Sequence, residues 1–153
     1  MSTLKHTRHQ ARILALQAMY QLDLQRAPSL PRVDEILAPL AEEAQAPPEA
    51  VEYARKLTLR GWANHERYDK MIAEVSSHWD VSRMAVVDRN ILRLALYEIV
   101  EQPDVPLRVI MDEAIELGRE FGEAETPQFI NGVLDAIWKN NPVCRVARPE
   151  SDR

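Results

Sequence analysis

Lys5, Arg8 and Arg12 stand at three- and four-residue spacing near the start of the chain, with His9 alongside Arg12. On a helix, residues so spaced line one side. No carboxylate occurs before Asp23. Positive side chains at a helix N-terminus oppose the macrodipole, at a cost on the order of a few tenths of a kcal/mol. A local cost without a local benefit points to an external anion, and RNA phosphate fits. Ordinary solubility of an N-terminus is the other reading of the same charges. Tyr20 and the more distant Phe121 and Phe129 could stack on unpaired bases, or they could pack in the core.

Other chemistries find less support. There is no Gly-rich phosphate loop. His6 and His9 are three apart, His65 and His78 stand singly, and Cys144 has no second cysteine to pair with, so a structural zinc site is not expected. Glu74 and His78 lack the Glu-x-x-His spacing that a di-iron bundle repeats on two helices. Ser76, Ser77 and His78 are neighbours in sequence, which does not make a nucleophile and its base. We therefore expect no metal, no cofactor, no catalytic residue and no enzyme. Asp112, Glu116 and Glu120 form a row that is either a solvated helix face or a docking surface for a basic partner. Arg89, Arg93 and Tyr97, at i, i+4 and i+8, serve either ion pairing or recognition.

The elements that must position these residues are helical throughout. The chain has 153 residues, 46% hydrophobic and 28% charged, with net charge −5. That is the composition and size of one globular domain. No apolar run approaches the roughly 18 residues of a membrane span. The N-terminus lacks the apolar core of a secretory signal, and a single cysteine implies no oxidising compartment, so a cytoplasmic protein is expected. A first helix opens near Thr7, with Ala11, Leu14, Ala15, Ala18 and Leu22 on one face. Pro28 and Pro31 punctuate its exit. A short helix around Ile36 is disturbed by Pro39. Glu49 to Val75 fits one long helix or two abutting ones. Then come three strongly periodic helices: a central one around Arg89 to Ile99, one from Pro106 that Gly122 closes, and a last one that Thr126 caps and Pro127 begins. Within "TPQFINGVLDAIW" the pair Asn131-Gly132 is expected to make a notch at the edge of the apolar face, filled by another backbone. We expect a domain over residues 1–139 and a flexible C-terminal tail over 140–153. The fold class is all-α, one domain of six to seven helices.

Three motifs, in order, resemble one family. "ARILALQAMYQLD" resembles the start of the NusB family, which typically reads Ala-Arg-x-x-Ala-x-Gln-x-Leu-Tyr. "DRNILRLALYEI" looks like its central helix. "DVPLRVIMDEAIELGREFGEAETPQFINGVLDAI" is similar to its C-terminal signature. The resemblance implies two small helical bundles packed together. It implies a transcription antitermination factor that binds boxA RNA together with NusE, a small-subunit ribosomal protein, and joins the RNA polymerase antitermination complex on ribosomal RNA operons, without catalysis. By the same resemblance Lys5, Arg8, His9, Arg12, Gln17, Tyr20, Phe121, Glu125 and Phe129 would meet RNA. Asp88, Arg89 and Arg93 would dock NusE. Thr7, His9 and Gln10 stand where many members carry arginines, and Arg145, Arg148 and Arg153 in the tail are the available supplement. The same helical domain also occurs ahead of an RNA cytosine methyltransferase, for whose methyl-donor domain this sequence leaves no room. The competing reading is a protein-only helical scaffold that uses the Asp112-Glu116-Glu120 face.

Overall fold

The computed structural model describes residues 2–26, 32–76, 80–146 and 148–152. Pro28, Pro31, Ser77, His78 and Arg153 lie outside the described residues. Among those described there is no strand, in keeping with the all-α expectation. The helices are α1 (Ser2–Gln25), α2 (Val33–Ala44), α3 (Pro48–Ala63), α4 (His65–Val75), α5 (Val86–Glu101), α6 (Leu107–Phe121), α7 (Thr126–Asn140) and the single turn α8 (Val143–Val146). They fall into two compact units, Met1–Ala63 and Asn64–Arg153. The stretch from Glu49 to Val75 is two helices, parted at Asn64.

In the first unit α1 packs against α2 and α3. It starts at Ser2, well before Thr7, because nothing in "STLKH" breaks a helix. Ala11, Leu14, Ala15, Ala18 and Leu22 are all buried, as their spacing predicts, and Leu16 and Met19 are buried with them. Each buried leucine contributes roughly 1.5–3 kcal/mol, and the alanines let neighbouring backbones approach. Pro39 does not break α2. The helix runs through it and ends at Gln45, whose left-handed backbone (φ 52°) returns its N–H to the carbonyls of Ala41 and Glu42.

In the second unit every residue of α5 from Asn90 to Ile99 is buried. The helix packs against α4, α6, α7 and α8. Its polar members are satisfied internally. Arg93 donates from Nε and Nη2 to the two carboxylate oxygens of Asp69 on α4, both at 2.7 Å. Its Nη1 reaches Asn90 Oδ1 at 3.0 Å, and the Asn90 amide donates to the Val86 carbonyl.

The junction of α6 and α7 explains two glycines and corrects a third. Thr126 does not cap α7. Glu125 holds that position without a side-chain bond, and Thr126 is the first helical residue. Its hydroxyl accepts from the Glu123 N–H and donates to Asp88 Oδ1, each at 3.0 Å. Gly122 ends α6 in extended backbone, so conformation does not require glycine there. Space does. A Cβ at Gly122 would stand 2.6 Å from Thr126 atoms, and one at Gly118 would stand 3.1 Å from Thr126 Cγ2. The notch expected at Gly132 is empty: nothing lies within 4 Å of a Cβ placed there, and Asn131 beside it is exposed. Spacing put Gly132 at the edge of the apolar face but could not say whether anything crossed it. Opposite outcomes follow in thermal melts. Gly122→Ala should destabilise the fold by about 1–3 kcal/mol through overpacking. Gly132→Ala should stabilise it by up to about 1 kcal/mol. Equal melting temperatures for the two variants would refute this account.

Within the expected flexible tail, over 140–153, several side chains among the described residues 140–146 and 148–152 are packed and bonded. Cys144 is fully buried, and burial pushes its thiol up to about 11. The Arg148 side chain is 0% exposed. Its Nη1 donates to the carbonyls of Glu98 (3.3 Å), Ile99 (3.0 Å) and Gln102 (3.3 Å), and Nη2 donates to that of Val105. Nε meets Asp152 Oδ2 at 2.8 Å, while Asp152 Oδ1 accepts from the Leu107 N–H that opens α6. One ion pair thus caps the end of α5 and the start of α6. Arg145 is engaged as well, with the carbonyls of Trp138 and Lys139. Arg148, wholly enclosed, has no surface left for the RNA contact the sequence offered, while Arg145 stays half-buried.

Candidate nucleic-acid interface

The N-terminal group lies on α1 in the first unit. Lys5 is exposed, Arg8, His9 and Gln17 are half-buried, and Tyr20 is 39% exposed. Gln10 Nε2 donates to the Ala44 carbonyl at 3.4 Å, which ties the start of α1 to the end of α2. The basic row is not uniform. Arg8 carries its guanidinium carbon 4.4 Å from the centre of the Tyr53 ring on α3. Arg12 lies 5.9 Å from the same ring but is only 3% exposed. The expectation that Arg12 meets phosphate is corrected: one helical turn further along α1, its side chain has entered the body. Tyr53 escaped sequence reasoning. Its only signal was a place beside the apolar stripe Val51, Ala54 and Leu57.

Phe121, Glu125 and Phe129 lie in the second unit, around the turn from α6 to α7. Phe121 is 36% exposed, Glu125 is exposed and Phe129 is half-buried. Tyr20 and Phe121 are therefore not absorbed by core packing and offer ring surface to a ligand. The turn that carries Phe121 and Glu125 is held by the bonds of Thr126.

Asp88, Arg89 and Arg93, expected to dock a protein, have internal partners. The Arg93 side chain is 5% exposed and bound to Asp69, so that expectation is corrected for Arg93. Tyr97, the third member of its row, is buried and its hydroxyl accepts from Gln102 Nε2. Arg89 is half-buried, and its Nη1 reaches the carbonyls of Val81, Ser82 and Met84 at 3.2–3.4 Å. Asp88 accepts the Thr126 hydroxyl. Burial raises its carboxyl above the usual range, the Thr126 bond works against that, and the Glu123 charge adds to the rise. In the acidic row, Glu116 pairs with Arg119 at 2.8 Å on an exposed surface, where such pairs contribute little.

Among the described residues no group of three potential metal ligands comes together, and no helix is long and apolar enough to cross a membrane.

The family model for NusB matches residues 9–139. The chain belongs to the NusB family. A relative from Symbiobacterium thermophilum, a transcription antitermination protein NusB, is 41% identical over 135 residues, covering 86% of this chain and 88% of the relative. Among solved structures, NusB of T. maritima superposes with a TM-score of 0.77 at 33% identity, covering 87% of this chain and 91% of that one. A structure of the antitermination factors NusB and NusE in complex with dsRNA gives a TM-score of 0.75 at 28% identity, over 88% and 97%. The NusB match takes in Arg8's neighbours from His9 onward, the α5 core, and the α6–α7 turn with its two space-demanding glycines.

Proposed function

We propose that this chain is a transcription antitermination factor that binds boxA RNA together with NusE and joins the RNA polymerase antitermination complex on ribosomal RNA operons. The observation that carries the reading is Arg8. It is a half-exposed guanidinium at the start of α1 whose partner is a ring and not a carboxylate, in a family with a member solved beside NusE and RNA. Lys5 and Arg8 would contact phosphate. Tyr20 on α1 and Phe121 and Phe129 on the second unit would stack on bases, since every base offers a π-face. Glu125 can accept from a base amine, as carboxylates do from cytosine N4. His9 and Gln17, half-buried, would border the RNA. Arg12 supports these residues from within and is left out of the contact set. Of the protein-docking set, Asp88 and Arg89 keep exposed surface for NusE, and Arg93 does not. The reading needs no catalysis, because the protein acts by holding an RNA and a protein together.

Binding of boxA RNA, measured with and without NusE across a salt series, tests the reading. Each phosphate contact to single-stranded RNA contributes about 0.7 to the slope of log K against log salt. Lys5→Ala with Arg8→Ala should therefore make the slope shallower by about 1.4. An unchanged slope removes the patch from RNA binding. Absence of any complex with the wild-type chain, in both conditions, favours the protein-only scaffold.

A further inference from the structure

We infer that Tyr53 of α3 is a positioning residue of the RNA interface, holding the Arg8 guanidinium flat so that its edge is turned to phosphate. The inference rests on the reading of α1 as an RNA-binding element. A guanidinium has two kinds of surface. Its face interacts with the π-system of a ring, and its edge carries the five N–H donors that bind phosphate oxygens. A carboxylate partner would occupy that edge and cancel the charge. A ring occupies only the face and leaves the charge and the donors in place. Arg8 is in the second situation, 4.4 Å from the ring centre and half-buried. Arg12 meets the same ring from within the body at 5.9 Å, itself almost wholly buried. The interface then includes α3 as well as α1, with each helix supplying half of one recognition element.

The test is boxA RNA binding by the full chain in the presence of NusE, for the wild type, Tyr53→Phe, Tyr53→Leu, Arg8→Ala, Arg8→Lys and Tyr53→Leu with Arg8→Ala. Tyr53→Phe keeps the ring and should bind as the wild type does. Tyr53→Leu should weaken binding about threefold to fivefold, the scale of an exposed cation–π contact. It should weaken it no further once Arg8 is alanine. Arg8→Lys keeps the charge without the planar stack and lies outside the core, so it tests the geometry even if Tyr53→Leu melts early. It should bind about threefold to fivefold less tightly. Wild-type affinity in Tyr53→Leu or in Arg8→Lys overturns the inference. So does an equal loss from Tyr53→Leu with and without Arg8. If the wild-type chain binds no boxA RNA, the functional reading itself fails, a result distinct from binding that ignores Tyr53.

Discussion

Arg148→Ala should lower the stability of the fold by about 3–5 kcal/mol, the usual penalty for leaving one charge of a buried pair alone. The reason lies in what one side chain serves. Its donors satisfy carbonyls of Glu98, Ile99 and Gln102, at the end of α5, and of Val105 in the turn that follows. A helix end leaves its last carbonyls without partners, and a cation there also complements the dipole. Asp152 does the matching work at the start of α6, where its carboxylate accepts the Leu107 N–H. Removing the guanidinium takes the side-chain donor from the Ile99 and Val105 carbonyls and leaves the Asp152 carboxylate unpaired, while the Glu98 and Gln102 carbonyls keep the N–H groups of Gln102 and Val105. A domain of this size is held by about 5–15 kcal/mol in total, so urea unfolding should show a large drop in midpoint. Arg148→Lys should recover only part of it, since an ammonium cannot span the same set of carbonyls. An unchanged midpoint for Arg148→Ala would show that the C-terminal segment decorates the fold and does not hold it.

The second large effect is expected at Arg93 and Asp69. Asp69→Ala should cost about 3–5 kcal/mol, because it leaves the buried Arg93 charge alone, and Arg93→Ala should cost less, because Asp69 keeps a quarter of its side chain in solvent. Exchanging both for apolar residues of similar volume, Arg93→Met with Asp69→Leu, should cost much less than the sum and could even stabilise. Asn90 would then lose the donor on its Oδ1, which sets an upper limit on the recovery. Arg93 is buried and Asp69 is three-quarters covered, so the pair should change less with salt than an exposed pair does. Additive losses in the double variant, measured by urea unfolding, would refute a coupled pair.

These two sites show what the sequence could and could not reveal. The helices were legible because their signal is local: Ala11, Leu14, Ala15, Ala18 and Leu22 recur at helical spacing, and all are buried. Family membership was legible because three motifs keep their order. Partners across the fold were not. Arg93 and Asp69 are 24 residues apart, and Arg148 reaches residues 43 to 50 positions away. Nothing in the local pattern near "ARPESDR" distinguishes a buried clamp from a solvated end. Spacing puts Arg8 and Arg12 on one side of α1, where both meet Tyr53, yet it could not tell Arg8 at the surface from Arg12 inside it. The glycines make the same point. Gly132 drew attention by interrupting an apolar motif, while Gly122, read as an ordinary helix stop, is the one pressed against another side chain.

The exposed Asn131-Gly132 pair on α7 has a chemical consequence. An asparagine amide followed by glycine is the pair most open to attack by the next backbone nitrogen, which closes a succinimide ring and expels ammonia. Helical backbone holds that nitrogen away from the side-chain carbonyl, and both residues are exposed. Deamidation at Asn131 therefore proceeds only while α7 is locally open. Aspartate and isoaspartate that accumulate at this position should therefore record, over the lifetime of a sample, how often that helix has come undone.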